Sequence, residues 1–372
     1  MGRIGTNIGA ALGCGCGTVR GPEQEMKSER PLRIAIVAPV WFEVPPDGYG
    51  GIEMLCASLV EGLLDLGHDV TLVAAGRDRT RGRMIRTSEE PPQGLGGPDH
   101  MAIELSHALE VASGLRGVQV DVIHDHTATA ALSQFARDVP TVVTAHLPAT
   151  GAQGDLYKIA NLPIVAVSHH QRQEAPDLPW LTTIHNAVDV GSYPFVEKKE
   201  DFALFLGRIH PQKAPHLAID SCREVGLPLV IAGKCSEPVE KEYFAREIAP
   251  RMGSDIRNVG VAGASLKRDL LGRASVLIFP IQWEEPFGLV MVEAMACGTP
   301  VVATRRGAVP EIVTEGVTGF LCDEPWELAG AIERARQLDP NKCREDARQR
   351  FDVPEMAARY EAAYRRVLDG AS

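Results

Sequence analysis

Long apolar runs are missing from this 372-residue chain. The nearest approach, Ile8-Gly9-Ala10-Ala11-Leu12-Gly13-Cys14, is too short and too weakly apolar for a signal sequence or a membrane span. Clustered cysteines are missing as well: of the eight, only Cys14 and Cys16 are close neighbours. Such scatter argues against a disulfide framework or a thiolate zinc site and fits reduced cytosolic thiols. A positive balance is also absent. The net charge of −11 argues against a general nucleic-acid binder and against a protein held on anionic lipid by charge alone. No histidine pair has the helical i, i+4 spacing of a metal-binding helix, and Gly48-Tyr49-Gly50-Gly51-Ile52-Glu53 lacks the full dinucleotide fingerprint, so an NAD site is a poor fit.

What is present is a length sufficient for about two domains, each with its own core. Residues 1–30 are Gly-rich and without periodicity, and are expected to be disordered or a mis-assigned start, with translation beginning at Met26. From there a regular alternation sets in. Arg33 to Ala38 reads as a strand, and apolar residues at Ile52, Leu55, Leu59, Leu63 and Leu66 have helical spacing that Gly67 ends. Strands are expected at Val70 to Ala75, Val120 to His124, Thr141 to Ala145, Ile164 to Val167 and Leu181 to Ile184, with a helix at Met101 to Ala112 and a mobile polar loop from Arg77 to Pro98. The pattern implies a parallel sheet covered by helices on both faces. A mixed stretch, Gly191 to Asp201, marks a domain boundary, and a second alternation follows with strands at Phe202 to Leu206, Leu229 to Ala232, Asn258 to Val261, Ser275 to Phe279 and Val301 to Thr304. The expected division is therefore 31–195, 196–352 and a final helical segment 353–372.

Polar residues gather where these strands end, which is where open α/β sheets bind ligands. They include His124, Asp125, His126, His146, Ser168, His169, His185 and Asn186 in the first half. In the second half, Gly207-Arg208 and Lys213 follow a strand. A lone Arg or Lys is usually a solvated surface charge, but at a strand's carboxyl end both suit phosphate: Arg can fork across two oxygens, and Lys supplies a compact charge.

The most informative stretch runs from Gln282 to Val302. Pro286 suits a helix start and Gly298 with Pro300 a helix stop, which predicts a helix over Phe287 to Cys297. Glu285 then lies at its mouth and Glu293 in its second turn, up to ~12 Å apart along the axis at ~1.5 Å rise per residue. That span can grip two parts of one extended ligand. Between them, the N–H groups of Phe287, Gly288 and Leu289 sit at the positive end of the helix, a place that favours phosphate. Taken alone, Glu285 would be a first-turn acid and Glu293 a solvated surface residue.

The ordered string Glu285-Pro286-Phe287-Gly288-x4-Glu293-Ala294-Met295-Ala296-x-Gly298-Thr299-Pro300-Val301-Val302 closely resembles the donor-binding motif of the retaining family 4 glycosyltransferases. The resemblance extends from about Arg33 to the C terminus. It implies the GT-B fold, two Rossmann-like parallel-sheet domains facing a central cleft, with the last helix crossing back to the first domain. It further implies transfer of a sugar from a nucleotide-diphosphate sugar to an acceptor hydroxyl with retention of configuration, with no cofactor and no catalytic metal, and the cysteine scatter adds the expectation of a cytoplasmic location. The family's Gly-Arg-x4-Lys pattern assigns Arg208 and Lys213 to the donor diphosphate. Its other patterns place Gly50 and Gly51 beside the phosphates, His146 beside the transferred sugar, Glu293 on the ribose, and Glu285 on the sugar hydroxyls without a covalent role. Phe287, Gly288 and Leu289 add backbone N–H groups. Two segments depart from the family's form: Ala187 stands for Gly in Asn186-Ala187-Val188-Asp189, and Glu315 for Asp before Gly316. Two rivals remain at this stage, a nucleotide-sugar epimerase of the same fold and a catalytically silent nucleotide-sugar binder. Secondary-metabolite, oligosaccharide and lipid acceptors, a weak peripheral membrane contact and any oligomeric state are all left open.

Overall fold

A computed structural model describes residues 30–129 and 139–370. The expected disordered or mis-assigned start thus lies outside the described residues, Arg30 excepted. From Leu32 on, the chain clusters as one unit holding two sheets. The first contains β1 (Arg33–Val37), β2 (Asp69–Ala74), β3 (Arg83–Arg86), β4 (Val122–Asp125), β5 (Thr141–Ala145), β6 (Ile164–Ala166) and β7 (Trp180–Thr183) in the order β3-β2-β1-β4-β5-β6-β7. The second contains β8 (Glu200–Leu206), β9 (Leu229–Ala232), β10 (Ile256–Asn258), β11 (Ala274–Phe279), β12 (Val301–Thr304) and β13 (Gly319–Cys322) in the order β10-β9-β8-β11-β12-β13. Every strand pair is parallel. This is the expected pair of Rossmann-like sheets.

Burial on both faces explains why the central strands read as unbroken apolar runs: all residues of β11 and β12 are buried. In each sheet the strand order reverses beside the first strand of that half, between β1 and β4 and between β8 and β11. A crevice outside the carboxyl ends of the strands forms at such a switch point.

Three local expectations change. The stretch read as a loop, Arg77 to Pro98, contains β3, whose Met84 and Ile85 are its sole apolar residues. A four-residue edge strand carries too little periodicity to be distinguished from a loop. The strand placed at Asn258 to Val261 is instead Ile256–Asn258, because the chain turns at Gly260 with φ 68°. The helix expected from Phe287 begins at Leu289 and ends at Ala296. Gly288 precedes it at φ 90°, a left-handed conformation that a helix cannot include and that L side chains rarely adopt. Pro286 therefore shapes the loop and not the first turn.

The last helix, Val353–Gly370, returns to the first sheet. Met356, Ala357, Tyr360, Ala363 and Tyr364 join Leu55, Leu59 and Leu63 of the Gly51–Asp65 helix in one core. Gly62 permits this contact, since a Cβ there would come within 2.8 Å of Val353. Among the described residues no helix is long and apolar enough to cross a membrane.

Candidate functional site

A cavity of about 620 Å³ opens between the carboxyl ends of the two sheets. Gly50, Gly51 and His146 line it from the first sheet's side; Arg208, Lys213, Glu285, Phe287, Gly288, Leu289 and Glu293 line it from the second's. Residues separated by up to 243 positions thus share one wall system.

The Glu285 loop is held by its neighbour across the β12 end. Gly307 N donates to Glu284 Oε2 at 2.6 Å, and Ala308 N donates to the Glu285 carbonyl at 2.9 Å. Gly307, at φ 56°, lies so close that a Cβ would meet Glu285 N and O at 2.3 Å. No other residue type fits. Fixed in this way, the buried Glu285 carboxylate forms an ion pair with Lys213 and accepts a bond from Trp283 Nε1 at 2.9 Å. Lys213 Nζ also lies 5.3 Å from the Phe279 ring centre and 5.2 Å from that of Trp283, within cation–π range.

Glu293, buried on the Leu289–Ala296 helix, is also already paired. Its Oε1 accepts from Lys267 Nζ at 2.7 Å and from Tyr193 O–H at 2.8 Å. Burial and the adjacent carboxylate push the Tyr193 hydroxyl upward, so it stays a donor. Arg208 Nη1 lies 3.7 Å from Oε1 of Glu240, a fully buried acid whose Oε2 accepts from Ser236 N and Glu237 N. The first N–H groups of the helix, on Leu289 and Val290, are left open by its own ladder. The sequence placed Phe287 and Gly288 in that set; their amides belong instead to the loop.

Across the cavity, Glu53 and His146 have no ion-pair partner among the described residues. Glu53, in the first turn of the Gly51–Asp65 helix, is buried and lines the cavity. Burial, the largest influence, drives its carboxyl up to about 8, opposed by its own amide and assisted by nearby Glu104. His146 is pushed down to about 3 by burial and is neutral at physiological pH. Its Nε2 lies 2.8 Å from Nδ1 of His126, and the two rings stack nearly parallel at 5.1 Å. His126 Nε2 lies 3.2 Å from His124 Nδ1, which is 2.7 Å from the Tyr364 hydroxyl. His124 Nε2 is 2.7 Å from Thr144 Oγ1, which meets the Tyr360 hydroxyl at 2.9 Å.

Sequence reasoning missed Lys267, Tyr193, Glu240 and Glu53. Only Glu53 had a local signal, being the acid two residues after the glycine pair; the others pair with the site across 26 to 100 positions of sequence or through Arg208. Outside the cavity, ligand atoms of His169, His185 and Glu311 lie within 4.8 Å of one another. The Glu311 carboxylate is occupied there by the His169 and His170 amides and by His185 Nε2 at 3.0 Å, so it bridges the two halves as a clamp. The six described cysteines are free thiols.

Residues 194–350 match the family described as Glycosyl transferases group 1, and residues 49–192 match Glycosyltransferase Family 4. A putative glycosyltransferase of Bacillus subtilis, YtcC, is 30% identical over 69% of this chain and 75% of its own length. A glycogen synthase of Mycobacterium tuberculosis is 28% identical over 85% of this chain and 89% of its own. The crystal structure of AviGT4, a glycosyltransferase involved in avilamycin A biosynthesis, superposes with a TM-score of 0.72 at 29% identity, covering 91% of this chain and 99% of that one.

Proposed function

The chain belongs to the group 1, family 4 glycosyltransferases with the GT-B fold, and from that premise we propose that its cleft takes a nucleotide-diphosphate sugar and transfers the sugar, with retention, to an acceptor hydroxyl. The observation that carries this reading is the arrangement of the second sheet's wall. Two cations, Arg208 and Lys213, face the same cavity as the open end of the Leu289–Ala296 helix, with one carboxylate on either side of it.

As the glycosidic bond breaks, negative charge develops on the leaving diphosphate. Arg208, Lys213 and the N–H groups of Leu289 and Val290 stabilise it, a preorganised set that needs no catalytic metal or other cofactor. Glu293, steadied by Lys267 and Tyr193, accepts from the ribose hydroxyls. Glu285 holds hydroxyls of the transferred sugar while its Lys213 partner reaches the phosphate, so one ion pair spans the scissile bond. Gly50 and Gly51 let the phosphates approach the backbone, with Phe287 and Gly288 amides flanking the sugar. The acceptor enters on the leaving-group face, and a donor phosphate oxygen takes its proton. Free thiols at all six described cysteines support a cytoplasmic setting.

Thermal-shift screening against UDP, GDP, ADP and dTDP sugars selects the donor. With that donor and an acceptor panel, NMR of the product is expected to show the donor's own anomeric configuration, with turnover unaffected by chelator. Inverted product would overturn retention. An epimerised sugar formed without acceptor would convert the reading to an epimerase, and tight binding without turnover on any acceptor to a silent binder.

A further inference from the structure

The first half contributes one acid to the cavity wall, Glu53, and its surroundings differ from those of the three acids opposite. It is only 4% exposed, and among the described residues its own amide is the one group that bonds its carboxyl. Every cation on the wall is committed to another acid: Arg208 to Glu240, Lys213 to Glu285, Lys234 to Glu237 and Lys267 to Glu293. The groups nearer to Glu53 supply no positive charge either. Glu104, from the His100–Gly114 helix, accepts from Trp41 Nε1, and Asp125, at the end of β4, accepts from Thr127 N. Tyr49 and Cys56 are kept uncharged by burial, and so is His146 across the end of β5.

The direction of the carboxyl decides what it can touch. A Cβ at Gly50 would meet Glu53 Oε2 at 3.2 Å, so the carboxyl is folded over the glycine pair that opens its own helix. A Cβ at Gly51 would touch the Leu289 side chain at 3.4 Å, which sets the start of the Gly51–Asp65 helix against the start of the Leu289–Ala296 helix. Two helix ends with open amides thus meet where the diphosphate approaches the glycine pair. An ionised Glu53 would confront that diphosphate with a like charge, buried and without a counter-ion, whereas the uncharged acid has a proton to donate. Burial favours the uncharged form and outweighs the pull of the Glu53 amide.

We propose that Glu53 binds the donor as an uncharged acid, its carboxyl O–H donating to a diphosphate oxygen at the glycine pair, and that removing this proton expels the donor. The proposal rests on the glycosyl-transfer reading and deepens it. No bond of the donor is made or broken in this contact. It adds a hydrogen bond to the phosphate without adding a charge to the wall that the sugar hydroxyls also meet.

The test is calorimetry of the full chain with whichever of UDP, GDP, ADP and dTDP the thermal-shift screen selects, at neutral pH and at about pH 9, in two buffers of different ionisation enthalpy. Free Glu53 ionises at about 8, and the nucleotide's phosphates are fully ionised at the higher pH. The wild type is therefore expected to take up close to one proton on binding there, and to bind about tenfold more weakly than at neutral pH. Glu53→Gln should show neither effect. In turnover, Glu53→Ala should lose about tenfold in kcat/KM at neutral pH, the size of one hydrogen bond to a charged group. Glu53→Gln, whose amide N–H can donate in the carboxyl's place, should recover part of that loss and lack the decline above about pH 8 that the wild type shows. Binding by the wild type without proton uptake at the higher pH would overturn the proposal even if no variant folds. So would an uptake that persists in Glu53→Gln. Proton uptake in a protein that turns over no acceptor would sink the transferase reading and leave the Glu53 contact standing, and turnover without uptake would do the reverse.

Discussion

On the second sheet's wall Glu237, Glu285 and Glu293 each meet a lysine, whereas across the cavity Glu53 and His146 meet no opposite charge among the described residues and are held neutral by burial. The contrast separates two tasks. A diphosphate brings charge into the cleft and needs cations that are present but not solvated by bulk water; carboxylates keep them in place until the ligand arrives. Sugar hydroxyls bring no charge, and neutral groups of fixed orientation sort them without a desolvation penalty for an ion.

The sharpest way to break this contrast is to remove the cations. Lys213→Ala is expected to lower turnover by about 10²–10³, the effect of losing one preorganised charge at a developing anion, and to leave Glu285 buried and unpaired. The double variant Lys213→Met/Glu285→Gln should regain thermal stability without regaining activity. Steady-state kinetics with parallel thermal melts checks both; near wild-type turnover in Lys213→Ala would remove the phosphate role. Arg208→Ala should cost about 10² in turnover while leaving nucleoside affinity almost unchanged.

Removing an acid on the same wall should do less and act on binding. Glu293→Ala is expected to weaken nucleotide affinity about tenfold by calorimetry, since a charge-assisted pair of bonds to the ribose is lost. Unchanged affinity in a folded variant would assign Glu293 to holding Lys267 and Tyr193 alone.

Much of this wall was legible because its residues are consecutive or sit at strand ends: the Glu285 to Glu293 string, Arg208 and Lys213 all precede or follow short apolar runs. The strand order was not legible, since parallel pairing leaves no mark on local periodicity. Nor was the helix start, because Pro286 carries a start signal that the left-handed Gly288 overrides. Lys267 sits on a polar helix, Ala264–Arg273, where a lysine looks like solvated surface until tertiary packing brings Glu293 to it. The neutral wall was least legible, because burial, which sets the state of Glu53 and His146, is a property of the folded chain. His124, His126 and His146 were visible as strand-end histidines, but their mutual bonds depend on the register of β4 against β5, where His124 faces Val142.

The neutral wall can be tested through stability. Glu53 titrates at an ordinary 4.5 when unfolded and about 8 when folded. Between these values the unfolded chain has released a proton that the folded chain keeps, so stability falls as pH rises and levels off above about 8. His146 runs the other way: ordinary at 6.5 and about 3 when folded, it makes stability fall as pH drops from 6.5 towards 3, and the lowered His124 and His126 add to that flank. Each group contributes a slope of about 1.4 kcal/mol per pH unit inside its window. The two single slopes oppose each other from 4.5 to 6.5, leaving Glu53 unopposed from 6.5 to 8. The wild type should therefore lose a few degrees of Tm, roughly, across that upper window. Glu53→Gln, a neutral side chain of the same shape, should flatten this flank and melt above the wild type at pH 8 while leaving the acid flank intact. A Glu53→Gln curve parallel to the wild type's would show that the carboxyl is already ionised, and the cavity would then have a negative charge on both walls.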